Sequence, residues 1–260
     1  MTETTQIQMT SATSLRPTLE KTFADYLAAR ARFPSCGPAT APRADEREVA
    51  IDLLRSFAHH NGHRTLSPLE AQEFQRQQQE ANGLQNYRGF EQIFGPSKIP
   101  PLIGDFIEFL SYDLYHDASQ KFVRVTCQTL EDYCLWLTRH DLIDPADGEE
   151  AAFHLAELGR KLPRARRALR RLLEEARKRD ETTDDEPGQK YLIHELRNGL
   201  IWLEDIDGAV VGPIKVGEKN RRDLDRGWEI HCSLRRVHNY WLISAVGSIH
   251  PLPLSLPRRA

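Results

Sequence analysis

Residues 191–216 read YLIHELRNGLIWLEDIDGAVVGPIKV. Three apolar runs, Tyr191–Arg197, Leu200–Ile206 and Ala209–Val216, are separated by the dipeptides Asn198-Gly199 and Asp207-Gly208. A tight two-residue hairpin needs positive φ, and Asn-Gly and Asp-Gly tolerate it at the lowest steric cost. Two such signals in succession predict a three-stranded meander. Gly212-Pro213 interrupts the third run. Proline cannot donate to a ladder, so this dipeptide marks an edge or a bulge.

The pattern continues toward the C-terminus. Trp228–Val237 alternates, with Trp228, Ile230, Cys232 and Leu234 on one face and Glu229, His231, Ser233 and Arg235 on the other. His238-Asn239 turns the chain and Tyr240–Val246 returns. Five strands in roughly 60 residues predict a small five-stranded antiparallel β-barrel over residues 190–250, SH3-like or OB-like. Gly217–Gly227, between the third and fourth strands, reads as a loop. It carries Lys219, Arg221, Arg222 and Arg226, offset by Asp223 and Asp225. Trp202, Trp228, Tyr240 and Trp241 lie on strands. They are either core or a surface on which bases stack beside basic loops. Barrels of this size also serve as protein-interaction modules. A Pro-rich tail, residues 251–260, follows.

Upstream of the meander, residues 180–189 form an acidic linker. Before it, residues 160–179 read RKLPRARRALRRLLEEARKR, with ten basic and two acidic side chains in a chain of formal net charge −3. Leu162, Ala165, Leu169, Leu172 and Ala176 recur at three- and four-residue spacing, which predicts a basic amphipathic connecting helix over residues 150–179. Arg164, Arg167, Arg171 and Lys178 share one flank of it; Arg166, Arg170 and Arg177 share another face. Residues 1–159 carry net charge −9, residues 160–179 net +8, residues 180–187 net −5 and residues 188–260 net +3. The arginines are therefore phosphate ligands or the counter-charge to the acidic front. The apolar stripe must pack on the front, on the barrel or on a second copy.

Residues 19–145 predict an all-α helical domain. Phe23, Tyr26, Leu27, Ile51, Leu54 and Phe57 repeat in pattern as Phe106, Phe109, Leu110, Leu130, Tyr133, Trp136 and Leu137, each set pairing a short apolar helix with a longer one. The first set stops at Asn61-Gly62, with Gly62 placed as a C′ residue. The second stops near His140-Asp141. Ser67-Pro68-Leu69-Glu70 is a helix start with a capping box. Ile99-Pro100-Pro101 predicts extended backbone before the next helix. Residues 35–42 read as a loop, and the Thr/Ser-rich residues 1–18 as a disordered N-terminus.

FADYLAAR (Phe23–Arg30), IDLLRSFAHHNGH (Ile51–His63) and LEDYCLWLTRHDLI (Leu130–Ile143) carry a likeness. On them, residues 20–145 resemble the N-terminal core-binding, SAM-like domain of phage-integrase-type tyrosine recombinases. The resemblance implies a helical bundle that grips DNA. The catalytic Arg, His-x-x-Arg and nucleophilic Tyr of that family do not follow: His231 and Arg235 are misspaced, and Tyr240 falls on a strand. Recombinase activity is not implied.

Other chemistry is excluded on spacing. His59, His60 and His63 form H-H-x-x-H, but Gly62 interrupts the helix and no H-E-x-x-H exists, so a helix-terminal polar cluster is expected and no metal. Cys36, Cys127, Cys134 and Cys232 are too scattered for a disulfide framework, and Cys127 and Cys134 read as core. Cys36-Gly37-Pro38 lacks the second cysteine of a redox motif. No phosphate-cradling or nucleophile-elbow motif occurs, and Glu149-Glu150 read as a loop pair, so neither an enzyme nor a cofactor is expected. No apolar run is long enough for a membrane span, and a cytoplasmic location is the default. The expectation is a non-catalytic protein that binds DNA or RNA, or an accessory protein. Its candidate contacts are Arg164, Arg166, Arg167, Arg170, Arg171, Arg177, Lys178, Lys219, Arg221, Arg222, Arg235 and Arg236. The alternative is an interaction module that dimerises or docks a protein partner through residues 160–179.

Overall fold

A computed structural model describes residues 17–32, 42–84, 88–112, 118–179, 188–238 and 240–251. Most of the N-terminus, residues 35–41 of the loop with Cys36, most of the acidic linker and all but the first residue of the Pro-rich tail lie outside the described residues.

The helical region comprises α1 (Leu19–Arg32), α2 (Ala44–Asn61), α3 (Pro68–Leu84), the single turn α4 (Phe90–Ile93), α5 (Ile99–Tyr112), α6 (Gln120–Arg139) and the N-terminal part of α7 (Pro145–Arg179). The aromatic positions read from the sequence meet at its centre. Tyr133 of α6 lies against Phe23 and Tyr26 of α1, with centroids 5.4 and 5.1 Å away. The Thr22 and Tyr133 hydroxyls share a 2.7 Å hydrogen bond in the core. Satisfying these two buried polar groups together fixes how α1 sits on α6. The Tyr26 hydroxyl donates to Asp132 at 2.9 Å, and Arg30 pairs with the same carboxylate.

The helix boundaries follow from caps. The Ser67 N–H donates to Glu70 at 2.8 Å and the Glu70 N–H donates back to Ser67 Oγ at 3.4 Å, the expected capping box. Ser119 caps α6 by accepting from the Phe122 N–H at 3.1 Å. Asp144 starts α7 by accepting from the Ala146 N–H at 2.9 Å, with Pro145 at the first helical position.

Three local expectations are corrected. Ile99 is helical (φ −65°, ψ −49°), so α5 begins before Pro100-Pro101 and not after an extended stretch. The two prolines occupy the first turn, where no N–H partner is needed. Gly62 is right-handed (φ −56°), so it is no left-handed C′ residue. It is needed for space, because a Cβ there would fall 2.5 Å from Phe90 Cδ1. Glu149 and Glu150 lie on α7, not in a loop.

The strands are β1 (Gln189–Arg197), β2 (Leu200–Glu204), β3 (Val210–Lys215), β4 (Glu229–Val237) and β5 (Tyr240–His250). They close into a barrel in the order β1-β2-β3-β5-β4. All pairs are antiparallel except β3–β5, which is parallel at Ile214 and Trp241. β1 pairs with β4 over Gln189–Leu192 and with β2 over Leu192–Arg197, and the second ladder shifts register between Ile193 and Glu195. A bulge of this kind lets one strand turn the barrel's corner. With a helix between the third and fourth strands and one parallel closure, the connectivity is the OB-like of the two expected arrangements. β3 is therefore no edge; a register shift against β2 between Ile201 and Leu203 accommodates Gly212-Pro213 instead.

The Asn198-Gly199 turn has φ of 50° and 74°, the double positive φ that its sequence predicts. At the second turn only Gly208 is left-handed (φ 81°). There the Asp205 carboxylate accepts from the N–H groups of Asp207 and Ala209 at 3.0 and 2.8 Å and builds a longer loop.

The apolar core is continuous. It runs from Leu19 through Tyr133 and along Leu155, Leu158, Leu162, Ala165, Leu169 and Leu172 of α7 to Ile193, Trp228, Ile230 and Ile249 of the barrel. The 35-residue α7, about 50 Å long, packs on α6 and on β5. Its predicted stripe is buried within the chain.

Candidate nucleic-acid interface

The segment read as a basic loop contains a short helix, α8 (Gly217–Asp223). It lies antiparallel against α7. Arg164, near the middle of α7, donates both terminal nitrogens to Asp225, at 2.8 and 3.0 Å, and Nη2 also to the Arg222 carbonyl at 3.0 Å. One turn on, Arg167 donates to Asp223 at 2.8 Å. A further turn on, Arg171 donates to the other Asp223 oxygen and, through Nε at 2.9 Å, to Asn220 Oδ1. The buried Asn220 donates to the Val216 carbonyl at 2.7 Å and to Glu175 at 3.3 Å. The Arg164 guanidinium also stands over the Trp228 ring, 5.4 Å from its centroid.

This is an ionic clamp between helix and barrel. The Arg164, Arg167 and Arg171 flank falls on one line because their spacing follows the helical repeat. The last turn of α8 offers the Asp223 carboxylate and free carbonyls, and Asp225 follows just past its C-cap Leu224, so negative groups gather at a helix C-terminus where cations are stabilising. The counter-charge to these arginines is thus the barrel's own helix and not the acidic front. Asp223 and Asp225, expected to offset the cations of their own loop, pair with α7 instead, and Asn220 is a partner that the sequence did not suggest. The Asp-x-Asp spacing was visible, but nothing local showed that it faces a helix some 50 residues earlier in the chain.

The other candidate cations divide further. Arg166 donates to the Ala118 carbonyl, which ties α7 to the start of α6. Arg221 pairs with Glu218 at 3.1 Å on the surface of α8. Arg235 is exposed on β4. Arg170, Arg177, Lys178, Lys219, Arg222 and Arg236 are exposed, and among the described residues their side chains make no ion pair or hydrogen bond. Of these, Arg170, Arg177 and Lys178 lie on α7, and Lys219 and Arg222 on the adjacent α8.

The aromatics divide as well. Trp228 is core, and Trp241 packs against the core. Trp202 is half-buried between the fully buried Ile201 and Leu203, so it stands on the outer face of β2; Tyr240 is 45% exposed.

No known protein family matches the chain, and neither does any characterised protein or solved structure.

The remaining polar candidates sit in structural settings. His60 Nδ1 lies 2.7 Å from the Ser56 carbonyl, and His59 lies 3.4 Å from Glu91. No cluster of three or more metal-ligating side chains occurs among the described residues. Burial pushes the thiols of Cys127, Cys134 and Cys232 up to about 12. No helix among the described residues is long and apolar enough to cross a membrane.

Proposed function

We propose that this chain is a non-catalytic nucleic-acid-binding or accessory protein that contacts phosphates through the outer surface of α7 and α8. The observation that carries this reading is a set of exposed cations on two adjacent helices whose side chains pair with nothing among the described residues: Arg170, Arg177 and Lys178 with Lys219 and Arg222. Flexible cations without an intramolecular partner lose little on meeting a phosphate, whereas Arg164, Arg167 and Arg171 would first have to leave Asp223 and Asp225. The binding set is therefore narrower than the basic run itself.

The test is anisotropy titration of labelled DNA and RNA over a range of salt. Each neutralised phosphate contributes about −0.9 to the slope of log affinity against log salt on duplex DNA, so four or five engaged cations give roughly −4. Charge removal at Arg170, Arg177 and Lys178 should reduce that slope. No binding at low salt removes the reading.

A protein-interaction module is the second reading. It is favoured by three exposed apolar side chains at one end of the barrel, Leu192, Val210 and Ile206, the last 97% exposed. The register places Leu192 and Val210 on either side of Glu204. The α7 stripe is already buried, so a partner would dock there and not on the stripe.

A further inference from the structure

The outer face of β2, β3 and β5 holds a feature that the α7–α8 cations do not use. Ile201 pairs with Ile214, and Ile214 with Trp241; both isoleucines are fully buried, so this row turns into the barrel. The neighbouring outward row is therefore Trp202, then Gly212-Pro213, then Tyr240. Two interstrand spacings put the rings about 10 Å apart. Between them is a glycine and an exposed proline, with no tall side chain.

Gly212 explains how the indole lies. A Cβ at that position would fall 2.6 Å from Trp202 Cδ1 and 2.9 Å from Cγ. The ring rests directly on the Gly212 backbone, so one side of it is held by the sheet. A ring pinned in this way loses little entropy when a second flat group stacks on it. The charge around the row is positive on one side. Lys215 is exposed one outward step along β3, and Arg235 is exposed opposite Leu242 on β4. On the other side Glu195 pairs across from Trp202 on β1 and repels phosphate there.

We propose that this face is a stacking platform for single-stranded nucleic acid, with Trp202 and Tyr240 each taking a base and the sugar-phosphate chain running on the Lys215 side. The proposal rests on the nucleic-acid reading above and deepens it. Unpaired bases offer the flat apolar faces that two separated rings select, while a duplex keeps its bases stacked inside. The full chain then has two surfaces of different selectivity: helix cations indifferent to strandedness, and a barrel face that prefers single strands.

The experiment titrates the full chain with labelled oligothymidylate of about 15 nucleotides, and with a duplex of the same length, at low salt. Tyr240→Ala and Trp202→Ala are each expected to weaken single-strand binding about 5- to 150-fold, the loss of one stacked base, and to leave duplex affinity unchanged. Tyr240→Phe and Trp202→Phe, which keep a ring, should recover most of the loss. Circular dichroism checks each fold. If Trp202→Ala does not fold, Tyr240→Ala decides, because that side chain is 45% exposed. Full single-strand affinity in the alanine variants overturns the platform and leaves the helix-cation reading standing. Failure of the unaltered chain to bind either nucleic acid overturns both.

Discussion

Replacing Asp223 with alanine should loosen the barrel from α7. The carboxylate is only 13% exposed and accepts from Arg167 and Arg171, whose side chains are 40% and 27% exposed. A hydrogen bond to a charged group contributes about 1.5–3 kcal/mol when sheltered, and a solvent-exposed ion pair well under 1 kcal/mol. Arg171 sits nearer the first limit and Arg167 nearer the second. Arg171 also keeps Asn220 Oδ1 after the change, which limits the loss. The expected cost is about 2–3 kcal/mol, or a fall in Tm of roughly 4–12 °C for a chain of this size. Urea unfolding followed by far-UV circular dichroism and by tryptophan fluorescence measures it, since Trp228 lies under Arg164 within the clamp. Double-mutant cycles with Arg171→Ala and Arg167→Ala should give a larger coupling for Arg171. Asp225→Ala should cost less, because that side chain is 43% exposed. A loss below about 0.5 kcal/mol for Asp223→Ala, or no coupling to Arg171, would refute the clamp.

Gly62→Ala should destabilise by about 1–3 kcal/mol, because its Cβ meets the buried Phe90 ring at 2.5 Å; a thermal melt matching the unaltered protein would show that Phe90 moves at no cost. The Glu70 carboxyl is held at about 2, chiefly by Lys98 and then by the Ser67 N–H. Since its folded pKa is depressed, its contribution is complete above the unfolded value of about 4.3 and is lost as pH falls toward 2. Glu70→Gln should therefore lower stability at neutral pH by up to about 1 kcal/mol and narrow the difference from the unaltered chain below pH 3, as urea midpoints against pH would report. Cys127, Cys134 and Cys232, buried and pushed up to about 12, should resist iodoacetamide at pH 8 until urea unfolds the chain. Rapid native labelling of any of the three, located by mass spectrometry, would contradict that burial.

Much of the architecture was legible along the chain because its causes are local. The Asn198-Gly199 hairpin, the Ser67–Glu70 capping box and the alternation of Trp228, Ile230, Cys232 and Leu234 each rest on residues within a few positions of one another. So does the α7 stripe, where helical spacing alone put Leu162, Ala165, Leu169, Leu172 and Ala176 on one side. The candidate site was legible only as composition. Sequence spacing placed Arg164, Arg167 and Arg171 on one flank and Arg170 and Arg177 on another face, but both flanks looked equally available.

Tertiary structure decided which arginines are spent. The barrel closes β3 against β5 and thereby carries α8 to α7, so Asp223 and Asp225 meet three guanidinium groups from another part of the chain. The same closure turns Trp228 inward and leaves Trp202 and Tyr240 outside. A sequence determines local geometry because backbone torsions and side-chain periodicity are short-range. Which charge is neutralised, and which ring stays exposed, depends on contacts between segments some 50 residues apart, and only the closed fold sets those.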